Sequence, residues 1–390
     1  MGATATGTRE FDMTNRCRGC GGKGTVRVLD LGAVPQADRF PPADSPVGPE
    51  ESSHPLAMDL CPACGLVQLA DDDTVPDEPR GVEPQALQLQ AADAVRTVAD
   101  AGRLGRGSTV LEFGSPHGGT WLPLLRERGF RGVTRGPADV VLDCFGIMHE
   151  PDQRAAFAER AAAVADDGVL LVQFHSVAAI LGGEQWNALR HGHFAYYSLT
   201  ALRGLLTDAG MHIHAAWEFD LYGGTVLVAA RHDRPSRDDP AVDRILAHER
   251  DAGVCDPEVV QRLQDAADRQ TDALRHRLES AASASARVYA YGAASRAVAL
   301  FARAGIGSGL VAGVADASPL KQGRRMPGTD VPIIDPAALL RADPDVVLLT
   351  LPDLLPELSE SFPELDGRWV CLGDEPFGAS PAVQGRHGEA

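Results

Sequence analysis

The chain has 390 residues, 44% of them hydrophobic, and a formal net charge of -18 at pH 7. This length allows two or three domains with sizeable cores, and no apolar run is long enough to span a membrane. An acidic surface repels phosphate backbones, which argues against nucleic acid as a partner. Because residues 1–16 contain no apolar signal segment, we expect a cytoplasmic enzyme with a small-molecule substrate. The oligomeric state is left open.

Two CxxC pairs mark the N-terminal region, where we expect a disordered tail over residues 1–16 and a zinc-binding domain over residues 17–80. The cysteines are Cys17, Cys20, Cys61 and Cys64. In a cytoplasmic protein, this spacing indicates metal binding before a disulfide. Four thiolates form a closed tetrahedral Zn²⁺ site with no open position for catalysis. Four unligated thiols or a redox pair are the alternative.

A central α/β domain is expected over residues 81–235. Helical periodicity covers Leu87–Arg103, and a buried strand, Thr109–Phe113, runs through a glycine-rich turn into a helix that begins near Thr120. This strand, turn and helix are typical of the start of a doubly wound α/β domain. Further strands are predicted at Val140–Leu142, Val169–Phe174 and Thr225–Ala230.

The remaining chain predicts a helical connection over residues 236–283, with a charged helical stretch at Asp243–Ser280, and a second α/β domain over residues 284–390. Its strands are predicted at Arg287–Tyr291, Leu310–Ala315 and Val346–Leu351. The turn after Tyr291 lacks a full GxGxxG motif, so it is weak evidence for NAD binding. The tail, Glu375–Ala390, is expected to be mobile.

Several segments together resemble the zinc-containing deoxysugar C-methyltransferases of antibiotic biosynthesis. They are Leu29–Pro35, His54–Leu56, Leu60–Leu69, Asn187–Leu199, Gly223–Thr225, Tyr291–Arg296, Asp316, Lys321–Gly323 and Pro327–Ile333. The resemblance implies a zinc domain, a central Rossmann-like methyltransferase domain and a C-terminal Rossmann-like domain. It also implies a dTDP-linked 4-keto-6-deoxysugar bound between the last two. In that family a histidine removes the C3 proton, and the enolate takes a methyl group from S-adenosylmethionine (SAM).

Carried onto this chain, the resemblance implies a set of site residues. His193 is the expected base, and His191 orients the substrate or replaces a glutamate that this chain lacks. The cofactor-binding positions are Glu112, Gly114, Ser115 and Gly118. The substrate-binding candidates are Tyr222, Gly224, Arg296, Lys321 and Arg324.

The central domain departs from the family where SAM binds. Pro116 and His117 replace the family's Asn-Asp pair, and proline removes a backbone donor. After a possible strand at Arg131–Thr134, a strand at Asp139–Asp143 follows directly, so about one helix and one strand are missing. No carboxylate stands at the expected ribose position, where Arg135 cannot accept from hydroxyls. These changes predict a shortened domain in which SAM binding is lost or impaired.

We therefore expect an enzyme that acts on a dTDP-4-keto-deoxysugar, or a similar ketone, by proton abstraction, with epimerisation, isomerisation or dehydration as the outcome. One alternative is a functional SAM-dependent C-methyltransferase with an atypical pocket. The other is a non-catalytic protein that binds a sugar nucleotide or a partner enzyme.

Overall fold

The computed structural model describes residues 16–74, 83–104, 108–116, 118–237 and 239–371. Apart from Arg16, the expected N-terminal tail lies outside these residues, as do His117 and the C-terminal tail. In the described part of the chain, no helix is long and apolar enough to cross a membrane.

The N-terminal module is built on three antiparallel strands: β1 (Val26–Val34), β2 (His54–Leu60) and β3 (Val67–Leu69). Strand β2 is almost fully buried, and its Leu56, Met58 and Leu60 belong to the large hydrophobic core. A fourth strand joins the edge of this sheet from the central domain, which ties the two units together.

The central domain holds a sheet of six strands in the order β5-β4-β6-β7-β10-β9. The first four are parallel, and β10 runs antiparallel to β7 and β9. The strands of this part of the chain are β4 (Thr109–Phe113), β5 (Arg131–Gly132), β6 (Ala138–Cys144), β7 (Val164–His175), β8 (Ala195–Tyr196), β9 (His212–Phe219) and β10 (Thr225–Arg231). Of these, β8 pairs with β3 of the N-terminal module.

Helices cover both faces of the central sheet, as the doubly wound prediction requires. They are α1 (Gln85–Asp100), α2 (Leu122–Glu127), α3 (Gln153–Ala162), α4 (Val177–Gly182) and α5 (Leu199–Asp208). One core lies between α1 and one sheet face, and a larger core continues from the other face into the neighbouring units. The α/β fold class is confirmed.

The strand at one edge of the central sheet, β5, is short. Strand β5 has two residues, and only residues 133–137 separate it from β6. Neither a helix nor another strand stands between them, which confirms the shortened domain predicted from sequence. The carboxyl end of β5 consequently lies at the sheet edge with no further βα unit beside it.

The predicted helical stretch at Asp243–Ser280 consists of three helices: α6 (Pro240–Ala252), α7 (Pro257–Val260) and α8 (Arg262–Ser283). It is divided because Gly253 ends α6 in a left-handed conformation, and Pro257 starts the next helix after an Asp256 cap.

The C-terminal domain is a parallel sheet of five strands in the order β13-β12-β11-β14-β15. Its elements are β11 (Val288–Tyr291), α9 (Ser295–Arg303), β12 (Val314–Ala315), β13 (Ile333–Ile334), α10 (Pro336–Ala342), β14 (Val346–Leu349), α11 (Leu355–Ser361) and β15 (Trp369–Cys371). The strand predicted at Leu310–Ala315 is shorter than expected, because the Leu310 and Val311 amides turn back to the Gly307 carbonyl.

A buried ion pair joins the C-terminal domain to the N-terminal module. The Arg325 guanidinium, almost fully buried, donates to both carboxylate oxygens of Glu51 at 2.8 and 2.6 Å. The same side chain donates to the Ser45 and Pro46 carbonyls. Every guanidinium nitrogen of Arg325 thus donates a hydrogen bond within the interface. The N-terminal module therefore contacts the C-terminal domain as well as the central domain.

Candidate functional site

The four predicted metal ligands come together in the N-terminal module. The Sγ atoms of the four cysteines lie within 4.8 Å of one another. Each CxxC pair closes a tight turn, with the Gly21 amide donating to the Cys17 carbonyl and the Gly65 amide to the Cys61 carbonyl. Both glycines have a left-handed backbone, with φ of 70° and 74°, which is why glycine follows each pair.

This cluster fits a tetrahedral zinc ion. The Sγ atoms of Cys17 and Cys64 are 3.5 Å apart, and those of Cys20 and Cys61 are 3.7 Å apart. Four thiolates at about 2.3 Å from Zn²⁺ would stand about 3.8 Å apart. The hydrogen bond with the Cys64 thiol lowers the pKa of Cys17, which favours its thiolate form. The set leaves no position open for a substrate.

A cavity of about 310 Å³ lies between the central and C-terminal domains. It opens beyond the carboxyl ends of β4, β6, β7, β11 and β14, where ligands bind in doubly wound sheets. The predicted site residues that line it are Glu112, Gly114, Ser115, Gly118, His193, Tyr222, Arg296 and Lys321. His191, Gly224 and Arg324 are not among the lining residues.

His193 lies on the short loop that enters β8. Its ring meets the His149 ring edge-on, with centroids 4.5 Å apart, and the Tyr196 ring at 6.2 Å. The Nδ1 atom of His149 is 2.9 Å from the Gly192 carbonyl oxygen, which assigns the proton to Nδ1 in the neutral ring. The two histidines are thus fixed against each other at the cavity wall.

The N-terminal module contacts the loop that carries His191 and His193, which we call the histidine loop. The Gly192 amide donates to Asp72 Oδ2 at 2.7 Å, and the Arg18 guanidinium lies over the Phe194 ring at 4.9 Å. Beyond the loop, β8 pairs with β3. The module that carries the metal ligands therefore also supports the segment that carries the predicted base.

His191 belongs to this support and not to the cavity lining. It is buried, its Nε2 is 3.1 Å from the Pro55 carbonyl oxygen, and its ring packs edge-on against His54. Burial lowers the pKa of His191, so the ring is neutral at physiological pH. From this position it contacts the N-terminal module instead of a ligand in the cavity.

The glycine-rich turn after β4 forms one end of the cavity. Glu112 accepts hydrogen bonds from the Thr120 hydroxyl and, at 2.7 Å, from the Trp121 amide, so it organises the start of α2. Gly118 and Gly119 have φ of 91° and 82°, a conformation that favours glycine. Glu83 also reaches this turn, and burial together with the Glu112 charge raises the pKa of Glu83.

The residues at the ribose position do not fit the SAM pattern. The edge strand ends at Gly132, and the segment 133–137 that follows contains no Asp or Glu. Within the described residues, no further βα unit lies beside this edge strand. The cavity keeps the glycine turn, but the segment that follows the edge strand supplies no carboxylate.

Tyr222 and Arg296 meet at the wall between the two domains. Tyr222 has a left-handed backbone with φ of 58°, and its amide donates to Asp353 Oδ1 at 3.2 Å. The Arg296 guanidinium lies 5.4 Å from the centre of the Tyr222 ring. A ring and a cation from different domains are therefore presented together to the cavity.

Gly224 and Arg324 do not line the cavity, and each has a structural contact instead. A Cβ on Gly224 would lie 2.6 Å from the Ala179 Cβ, so glycine is needed for the Tyr222 turn to pack on α4. Arg324 is exposed and donates to the Phe40 carbonyl at 2.6 Å.

Lys321 and Asp316 anchor the C-terminal side of the cavity. Lys321 is buried, donates to the Ala293 carbonyl at 2.9 Å, and lies 4.7 Å from the centre of the Phe40 ring. Asp316 accepts from the Ala293 and Ser318 amides, both at 2.8 Å. The carboxylate thus stabilises the turn that follows β11.

The polar cavity residues that sequence reasoning missed include His175, Arg190 and Asp353. His175 ends β7, one residue beyond the strand predicted at Val169–Phe174, so the rule that ligands bind beyond strand ends was a usable signal. Arg190 directly precedes His191, within the segment Asn187–Leu199 that carries the predicted base, so it could also have been found. Asp353 lies in a short 3₁₀ helix, Pro352–Leu354, that follows β14, and no sequence motif marks it.

Three family models match consecutive parts of the chain. A candidate zinc-binding domain matches residues 17–78, a methyltransferase domain matches residues 86–216, and a C-methyltransferase C-terminal domain matches residues 220–371. The order of the three agrees with the three sheets of the structure.

The chain is also similar to C-methyltransferase NovU of Streptomyces niveus, with 27% identity over 418 aligned residues, 93% of this chain and 96% of NovU. Among solved structures, the mitomycin 7-O-methyltransferase MmcR matches 38% of this chain and 54% of its own at 17% identity and a TM-score of 0.30. Magnesium protoporphyrin IX methyltransferase from Synechocystis PCC 6803 matches 37% and 84% at 14% identity and 0.27. Scores this low add no argument about the site.

Proposed function

Because this chain belongs to the C-methyltransferase family that carries an N-terminal zinc-binding domain, we propose that it removes a proton next to the ketone of a dTDP-linked 4-keto-deoxysugar. His193 is the base. The observation that carries the proposal is the position of the His193 ring at the wall of a cavity that also contains Arg296 and Lys321.

The proposed step is an enolisation. The C–H bond next to the ketone breaks, the proton passes to the His193 imidazole, and the electron pair moves to the carbonyl oxygen. A neutral imidazole suits this task near neutral pH. The Arg296 cation favours negative charge in the cavity and is available for a diphosphate or for the enolate oxygen.

We propose that the enolate is reprotonated or loses a leaving group instead of being methylated. Epimerisation needs a proton on the opposite face of the same carbon; water supplies that proton, and the proton held by His193 passes to solvent. The short edge strand and the missing ribose carboxylate support this outcome. Calorimetry with SAM and with its demethylated product should detect no binding, and micromolar affinity for either would contradict cofactor loss.

Deuterium exchange tests the proposed base. In D₂O the wild-type chain should place deuterium next to the ketone of a dTDP-4-keto-6-deoxysugar. His193→Ala should slow this exchange by roughly 100-fold or more. His276→Ala is the matched control, since that side chain is 81% exposed on α8, and it should exchange like the wild type. Equal exchange by wild type and His193→Ala would refute the role of His193.

Methyl transfer is the second candidate function, and one observation favours it. Glu83 enters the cavity beside the glycine turn from outside the usual ribose position, so it could supply the carboxylate that the edge strand lacks. This candidate predicts SAM binding that Glu83→Gln weakens, with transfer of a labelled methyl group to the sugar.

For the cysteine cluster we propose a structural zinc ion. The distances among the four Sγ atoms and the closed ligand set support this assignment. Elemental analysis of the purified protein should find one zinc per chain, and Cys61→Ser should lower both the zinc content and the thermal stability. Full zinc content in that variant would contradict the assignment.

A further inference from the structure

His175 is a cavity residue with no role in the proposed enolisation. It ends β7, only 8% of its surface is exposed, and it lines the cavity together with Tyr222 and Arg296. Its ring centre is 6.4 Å from that of Tyr222. Within the described residues, its Nε2 atom is buried without a hydrogen-bond partner. A buried polar atom in this state is destabilising unless a ligand or water satisfies it.

The protonation state of His175 follows from its surroundings. Burial and the nearby Arg296 charge lower its pKa to about 3, so the ring is neutral at physiological pH. The groups that face the ring and favour its N–H are the Gln185 side chain and the Tyr222 backbone carbonyl. Among the described residues, the Nε2 atom has no hydrogen-bond partner, and neither does Gln185 Oε1, so we assign the proton of the neutral ring to Nδ1.

A neutral imidazole that carries its proton on Nδ1 has an acceptor at Nε2. The neighbouring Arg296 guanidinium only donates, so it cannot receive a hydrogen bond from a ligand. A ligand group that satisfies Nε2 must itself be a donor. On a sugar, that group is a hydroxyl.

We propose that His175 is a specificity-determining residue whose Nε2 accepts a hydrogen bond from a sugar hydroxyl and so selects hydroxylated substrates over deoxygenated ones. This inference rests on the proposed function and names a feature of its substrate. Sites built to pair with a hydroxyl discriminate strongly against analogues that lack it, because the buried partner is then left unsatisfied.

The experiment compares two variants on matched sugars. His175→Leu removes the acceptor, and His175→Gln restores an oxygen near the position of Nε2. Wild type and variants are assayed by deuterium exchange with a dTDP-4-keto-6-deoxysugar and with its 2-deoxy and 3-deoxy analogues. Thermal unfolding of each variant confirms that it is folded.

His175→Leu should raise KM for the fully hydroxylated sugar by about 10-fold, while kcat changes much less. His175→Gln should recover most of the loss. For one of the deoxy analogues, wild type and His175→Leu should have the same KM. An equal change for all three sugars, or no change for any, would overturn the inference and leave an ordinary packing role.

The two proposals fail differently. If the wild type shows no deuterium exchange with any of these sugars, the proposed function fails. Calorimetry with the same three sugars then decides the role of His175, because a hydroxyl acceptor still predicts weaker binding by His175→Leu for the hydroxylated sugar alone.

Discussion

Phe145 and Tyr222 line the cavity with left-handed backbones, at φ of 61° and 58°. For residues other than glycine, such conformations cost about 1–3 kcal/mol each and persist only where the surroundings impose them. Their rings pack edge-on with centroids 5.8 Å apart, and Asp353 holds the Tyr222 amide. Contacts from both domains therefore fix the aromatic wall before a substrate binds.

Gly224 allows the turn that carries Tyr222 to pack closely on α4. Gly224→Ala should lower the free energy of unfolding by about 2–4 kcal/mol, because its φ is 144° and the new Cβ would meet Ala179. Gly204→Ala in α5 is the matched control. With no contact within 4 Å, it should be neutral or raise stability by up to about 1 kcal/mol. Urea unfolding measures both, and similar values for the two variants would contradict this account.

Both the central domain and the N-terminal module contact the histidine loop. On one side the His149 ring and the Met148 carbonyl, which accepts from the Phe194 amide at 2.7 Å, belong to the central domain. On the other side Asp72 belongs to the N-terminal module. These partners fix the geometry of the loop from both domains, so the N-terminal module contributes to the placement of His193.

Removing the Asp72 contact should therefore weaken catalysis without unfolding the chain. Asp72→Ala leaves the Gly192 amide without its carboxylate, and hydrogen bonds to charged groups contribute about 1.5–3 kcal/mol. We expect the deuterium-exchange rate at saturating sugar to fall about 10-fold, with zinc content unchanged. Asp71→Ala, which removes a neighbouring carboxylate, should stay close to the wild type. Equal losses in both variants would point to the charge of the segment instead of this contact.

At the scale of the whole molecule, Glu51 and Arg325 link the first and last units of the chain. The Arg325 side chain is fully buried, and it also donates hydrogen bonds to two backbone carbonyls. Hydrogen bonding to Arg325 lowers the pKa of Glu51 from 4.5 to about 2. Because the folded pKa is depressed, the pair's contribution is fully present above pH 4.5 and is lost as the pH falls towards about 2.

Glu51→Gln should make that pH dependence visible. At pH 7 the variant should be less stable than the wild type, since Arg325 loses its partner charge. Between pH 4.5 and about 2 the difference in free energy of unfolding should shrink, because only the wild type loses the ion pair. Urea unfolding at several pH values gives both curves. A constant difference across this range would show that Glu51 does not titrate through the interface.

The sequence alone predicted much of the fold. The CxxC pairs predicted the cysteine cluster, and the strands at Thr109–Phe113 and Thr225–Ala230 were located almost to the residue. The missing unit after β5 was also visible, since two strand patterns followed each other with too few residues for a helix. These features depend on local spacing and periodicity, which are written in consecutive residues.

Only the tertiary structure decided which polar groups share the cavity. His191 and His193 are two positions apart in sequence, yet one packs on the N-terminal module and the other faces the cavity. His175 and Asp353 come from different domains and enter the same wall. Residue spacing determines the local elements, whereas the direction of a side chain and its partners depend on how distant segments pack, and that packing has no signature in any short stretch of the chain.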